Sequence, residues 1–125
     1  MFGKKNNTIK VCHYEGLQDF LQDYPCQIEM TENTFYIRRI KPASEITLSK
    51  HKIIKIEAME EPRFMLKYHN DTTRTDKGTK KYYLVITYVS NNIEKYLAFW
   101  GTSFEYGKFL ELQNTIMNKP SNYSL

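Results

Sequence analysis

The feature that most constrains this chain lies near its C-terminal end, in "KYLAFWGTSFEYGKFLELQ", residues 95–113. Within about two residues the pattern passes from the alternation of a strand to the 3.6-residue spacing of a helix. Thr102 stands as N-cap with Glu105 three positions on, so "TSFE" has the form of a capping box. In that motif the threonine oxygen accepts an orphan N–H and the glutamate reaches back to the cap. Phe104, Tyr106, Phe109, Leu110, Leu112, Ile116 and Met117 follow. At 100° per residue all of these but Phe104 fall in an arc of roughly 160°. Lys108, Glu111, Asn114 and Thr115 take the other side. Gln113 falls inside the apolar arc and requires a partner there. Gly107 costs about 1 kcal/mol relative to alanine in a helix interior, which predicts close backbone approach at that point. Pro120 ends the helix. Five or six large apolar side chains at ~1.5–3 kcal/mol each give about 10 kcal/mol as an upper bound, the size of a domain's net stability. Such a helix must pack, and the expectation is a lid on a β-shell.

Upstream the chain reads as short strands. "IKVCHY", 9–14, is the first, and "EGLQDFLQDYP", 15–25, interrupts it between Gly16 and Pro25. Leu17, Phe20 and Leu21 are spaced for about one helical turn within that loop. Cys26, Ile28 and Met30 then alternate with polar residues, "TEN" at 31–33 has the length of a tight hairpin, and Phe35 and Ile37 resume on a new strand. "EITLS" at 45–49 follows, then "HKIIKIEAME" at 51–60 with Ile54, Ile56 and Ala58 on one face. "RFMLKYHN", 63–70, is read as a further strand from the alternation of Phe64, Leu66 and Tyr68. The polar "DTTRTDKGTK" makes a hairpin loop into "KYYLVITYV", 81–89, and "SNN" turns into "IEKYLAFW", 93–100. That last run is apolar on both faces, as in a central strand or part of a closed barrel. The predicted fold is mainly β. Seven or so antiparallel strands form a meandering barrel or sandwich, capped by one C-terminal helix.

The 125 residues fit one domain, expected over 9–118, with a flexible N-terminus at 1–8 and a tail at 119–125. Apolar runs stop short of the ~20 residues of a spanning helix. The start, "MFGKKNNTIKV", has no apolar segment behind its lysines, so a cytoplasmic location is expected. There Cys12 and Cys26 are reduced, buried thiols. The net charge of +4 does not by itself argue for nucleic acid.

No residue set signals catalysis. Cys12 and His13 are neighbours on a strand and point to opposite faces. His13, His51 and His69 lack the spacing of a preformed metal site, so surface or edge positions are expected for them. There is no glycine-rich phosphate loop and no GxSxG, and "EAMEEP" reads as a strand running into a turn. No catalytic residue, metal or cofactor is expected. Two sets remain as candidates for binding. Leu17, Phe20, Leu21 and Tyr24 are apolar in a surface segment. They either fold back on the shell or form a contact patch for a protein partner. Arg74, Lys77, Lys80 and Lys81 cluster on the hairpin loop beside Tyr82 and Tyr83, which suits an anion or nucleic acid. Asp71 and Asp76 dilute that cluster, and a solvated hairpin is the preferred reading of it. An unpaired strand edge offers a further route to a partner, by strand addition.

The stretches "CQIEMTENTFYIRRI", "SEITLSKHKIIKIEAME" and "KYYLVITYVSNNIEKYLAFW", with the helix after them, resemble the pleckstrin-homology superfold from about Ile9 to Asn118. Within it the chain is similar to small bacterial pleckstrin-homology-like proteins. The resemblance implies a binding or assembly module without catalysis. In lipid-binding members the loop between the first two strands carries basic residues for an inositol phosphate. Here it carries Glu15, Asp19 and Asp23 and no lysine or arginine, and carboxylates repel a phosphate. Phosphoinositide recognition there is not expected. Eukaryotic members usually have a tryptophan in the helix, whereas Trp100 here ends the last strand. The expected function is therefore non-enzymatic protein binding or self-association. The alternatives are nucleic-acid or anionic-surface binding through the 74–81 hairpin, and a small-ligand carrier or small β-barrel enzyme.

Overall fold

The alternating segments form seven antiparallel strands. These are β1 (Thr8–Glu15), β2 (Tyr24–Met30), β3 (Thr34–Arg39), β4 (Ser44–Ser49), β5 (Ile53–Glu60), β6 (Tyr82–Ser90) and β7 (Ile93–Gly101). A computed structural model describes residues 8–39, 41–71 and 80–117, the last three of these as backbone alone. A 3₁₀ turn, Lys50–Lys52, joins β4 to β5. One helix, α1 (Glu61–His69), lies between β5 and β6, and another, α2 (Ser103–Met117), follows β7. The expectations for residues 1–7, for most of the 71–80 loop and for the tail lie outside the described residues. The first strand begins at Thr8, one residue inside the expected N-terminal arm.

The strands make one sheet in the order β4-β3-β2-β1-β7-β6-β5. Two meanders, β1 to β4 and β5 to β7, meet where β1 pairs with β7, Cys12 opposite Trp100 and His13 opposite Phe99. The expected barrel is not closed: β4 and β5, consecutive in sequence, end up at opposite ends of the sheet. The antiparallel sheet with a C-terminal helix is compatible with a pleckstrin-homology-like fold. No helix among the described residues is long and apolar enough to cross a membrane.

The inner face gathers one core from both meanders. Ile9, Val11, Ile28, Phe35, Ile37, Ile56, Leu84, Ile86, Leu97 and Phe99 meet Phe109 and Leu112 of α2 there. The lid expectation holds in that respect, since the helix contributes its apolar face to the shared core. Phe104, off the predicted arc, is 89% exposed. The capping box forms, with Glu105 Oε1 accepting from the Thr102 N–H at 2.7 Å. The Thr102 hydroxyl accepts from the Phe104 N–H at 3.4 Å. Gln113 finds its partner: its Oε1 accepts from the Ala58 N–H at 2.7 Å. Gly107 contradicts the close-approach expectation, because a Cβ there meets nothing within 4 Å.

Three further expectations are corrected. Residues 63–70 are not a strand but most of α1. Pro62 sits in its first turn and Asn70, left-handed at φ 51°, caps its end. Phe64 of α1 stacks on Tyr83 with ring centroids 4.2 Å apart and planes 4° from parallel. That helix covers the outer face of β6 with Met59, Val85 and Ala98 in a second cluster. Residues 83–87 of β6 are thus buried on both faces. In β5 a register shift between Ile53 and Lys55 breaks the alternation, so Ile54 turns outward and is 47% exposed. The 15–25 segment holds no helix; Leu17 to Phe20 close a single turn through Phe20 N–H to Leu17 O, 3.1 Å.

Candidate interaction sites

The segment between β1 and β2 is fastened by three side chains. His13, on the inner face of β1, has only 2% exposure, which corrects the surface position expected for it. Its Nε2 accepts from the Leu17 N–H at 3.1 Å, and its Nδ1 lies 3.1 Å from the Leu21 carbonyl oxygen. With Nε2 accepting, the proton sits on Nδ1 and donates to that carbonyl. Burial pushes the imidazole pKa below its ordinary value, so the neutral form is the native one. Arg39 donates to the Asp19 carbonyl and lies 4.9 Å above the Phe20 ring. Trp100 Nε1 donates to Asp23 Oδ1 at 2.8 Å. Gly16 starts the segment at φ +115°, with a would-be Cβ 2.6 Å from the Tyr96 carbonyl oxygen, so only glycine fits.

This geometry divides the four apolar residues foreseen there. Phe20 is buried in the core and Leu17 packs against it. Tyr24 begins β2, half-buried, and its hydroxyl donates to the Lys41 carbonyl. Leu21 alone stands out, at 70% exposure. Two of the three loop acids are engaged internally: Glu15 Oε2 accepts from Tyr96 at 2.5 Å and lies 2.8 Å from His69 Nε2, while Asp23 holds Trp100.

Of the basic set, Arg74 and Lys77 lie outside the described residues. Lys80 is exposed, and the Lys81 ammonium lies 4.5 Å above the Trp100 ring. Cys12 and Cys26 are both free thiols. Cys26 packs in the inner core while Cys12 stands one residue from the inward His13, on the other face. Burial raises both thiols, Cys26 to about 12. Thiolates are therefore disfavoured at both positions at neutral pH. Among the described residues no group of three metal-ligating side chains converges. A shallow cavity beside α2 runs along β5, lined by Lys55, Ile56, Glu57, Ala58, Met59, Arg63 and Gln113.

Two sheet edges remain, and their backbone parity can be worked out. In an antiparallel pair, directly opposed residues alternate between those that exchange hydrogen bonds and those that do not. Lys50 N–H donates to Asn33 O at 2.9 Å, extending the β3–β4 register by one pair. Phe35–Leu48, Ile37–Ile46 and Arg39–Ser44 then exchange bonds, and the backbones of Glu45, Thr47 and Ser49 face away from β3. The same parity on β5 follows from Glu61 N–H to Lys81 O, 3.1 Å. There Ile56, Ala58 and Glu60 face outward. The Ala58 bond to Gln113 of α2 agrees with this independently.

The edges differ in their protection. The β5 edge has a register shift, Lys55, and the Gln113 cap. All six β3–β4 pairs run in unbroken register, and Ser44–Ser49 contains no proline and no lysine. Among the described residues, β3 is its only strand neighbour. Bulges, lysines, prolines and covering elements are among the means by which proteins blunt an edge, and among the described residues β4 has none of these, its one charge being Glu45. Sequence reasoning named strand edges in general; the absence of proline, lysine and glycine in "SEITLS" was the available signal for this one. Compared with known proteins, the chain matches no family model and no curated relative.

Proposed function

We propose that this chain is a non-enzymatic, cytoplasmic, pleckstrin-homology-like module that binds protein, taking an extended segment along the outer edge of β4. The observation that carries the reading is the contrast between the two edges, one capped by Gln113 and broken by a register shift, the other in unbroken register and uncovered among the described residues. Strand addition gives affinity through main-chain hydrogen bonds, here to Glu45, Thr47 and Ser49. The side chains of Glu45 and Thr47 are exposed beside the edge, where they can select a partner. Arg38 braces the strand from β3, bonded to both Glu29 and Glu45.

A library of displayed extended peptides tests this. Binders are expected to lose affinity for the Thr47→Pro variant, which removes an outward N–H and leaves the ladder to β3 intact. Peptides that bind the variant equally well, or a library that yields no binder, would contradict the reading.

A further inference from the structure

We infer that one occupant of the β4 edge is a second copy of this chain, the two β4 strands pairing antiparallel about a two-fold axis through Thr47. The inference rests on the edge reading above and names its partner. Outward-facing residues must meet outward-facing residues for main-chain bonds to form across the contact. Three symmetric registers near the middle of β4 satisfy this, centred on Ile46, Thr47 or Leu48. Centring on Ile46 sets Leu48 against Ser44. Centring on Leu48 sets Ile46 against Lys50. Only the Thr47 register sets Ile46 against Leu48 on both sides of the axis, apolar against apolar on the core face. On the other face Thr47 meets Thr47 and Glu45 meets Ser49, so no like charges are opposed.

Half-buried Ile46 and buried Leu48 already belong to the edge of the inner core. The paired strands therefore continue that core from one copy into the other. The assembly also closes. A two-fold contact uses the same patch on both subunits, and the remaining edge of each copy, β5, carries the Gln113 cap and the register shift. The expected species is a dimer of two sheets joined edge to edge, with no tendency to extend into a fibre.

Mass in solution, measured by light scattering and sedimentation from low micromolar to near-millimolar concentration, tests this on the whole chain. The wild type is expected to rise from one copy toward two and to stop there. Thr47→Lys places two like charges at the axis and is expected to raise the dissociation constant at least about tenfold, as is Thr47→Glu. An equimolar mixture of the two variants is expected to recover dimers, because lysine then meets glutamate. Both substitutions sit at an exposed strand position, and circular dichroism at each concentration checks that the variants remain folded. A wild type that stays single at every concentration, growth beyond two copies, dimers indifferent to Thr47→Lys, or a mixture without recovery would each overturn the inference. If the wild type stays single while displayed peptides still bind in a manner that Thr47→Pro abolishes, the second copy is wrong and the edge reading stands. If peptides fail as well, both fall.

Discussion

His13 carries the sharpest residue-level consequence. Its two nitrogens hold the backbone at Leu17 and Leu21, and its ring meets Phe20 and Phe99 edge-on, with centroids 5.5 and 5.8 Å away. Protonating Nε2 replaces an acceptor with a donor facing the Leu17 N–H. The folded-state pKa lies below the unfolded one, so the unfolded chain binds more protons through this interval. The contribution of His13 to stability is complete above the unfolded value of about 6.5 and declines as pH falls from there toward the folded value. The slope is at most about 1.4 kcal/mol per pH unit for one group. Chemical denaturation of wild type and His13→Gln between pH 8 and pH 5, a window set by that ~6.5, should show their stability difference shrinking on acidification. A constant difference would contradict this role. Glu15 is the carboxylate nearest in sequence that acts on the ring, and it opposes the shift without reversing it. Gly107 offers a second measurement. It is exposed within α2 with open space at its Cβ, so Gly107→Ala should raise stability by about 0.5–1 kcal/mol in the same denaturation assay.

At the scale of elements, α1 separates what the sequence makes legible from what it does not. Phe64 and Tyr68 fit a strand's alternation through Leu66 and equally fit the i, i+4 spacing of a helix. Over nine residues the two periods are not resolved by apolar positions alone. The terminal chemistry decides it: Glu61 and Pro62 in the first turn, Lys67 and His69 in the last, Asn70 as the left-handed cap. Phe64→Ala should cost about 3–5 kcal/mol if the stack on Tyr83 holds α1 against the sheet, and an unchanged melting temperature would contradict that packing. The C-terminal helix was legible because its capping box and broad apolar arc agree with each other. Position 54 was not, because a register shift inverts parity from that point without any glycine or proline to announce it. The inward His13 was legible and missed: it continues the alternation of Ile9 and Val11. The bare edge was legible only in part. Composition marks "SEITLS" as unguarded, but which strand ends the sheet depends on the β1–β7 pairing across some 85 residues, and local pattern does not encode that.

Across the described residues, two meanders share one core to which α2 contributes, while α1 covers the outer side of the second meander and reaches β1 through Tyr14 and Glu15. Burial on both faces of β6 makes that meander the more deeply packed half. The first meander keeps a polar outer face, with Arg38 between Glu29 and Glu45 across three strands. Exposed ion pairs of this kind contribute little to stability, and here they order the side chains beside β4. An unprotected edge is normally a hazard of aggregation. Keeping β4 straight and bare, while β5 is capped by a helix side chain, is the asymmetry on which the functional reading depends.

Residue-resolved amide hydrogen exchange along β4, followed as concentration rises, tests that reading most directly. The account predicts alternation in the dilute chain, with Ile46 and Leu48 slow and Glu45, Thr47 and Ser49 fast. It further predicts that Glu45, Thr47 and Ser49 slow together as copies pair, while Ile46 and Leu48 change little. Uniform protection along β4 in the dilute chain, or a Thr47 rate indifferent to both concentration and added binding peptide, would contradict it.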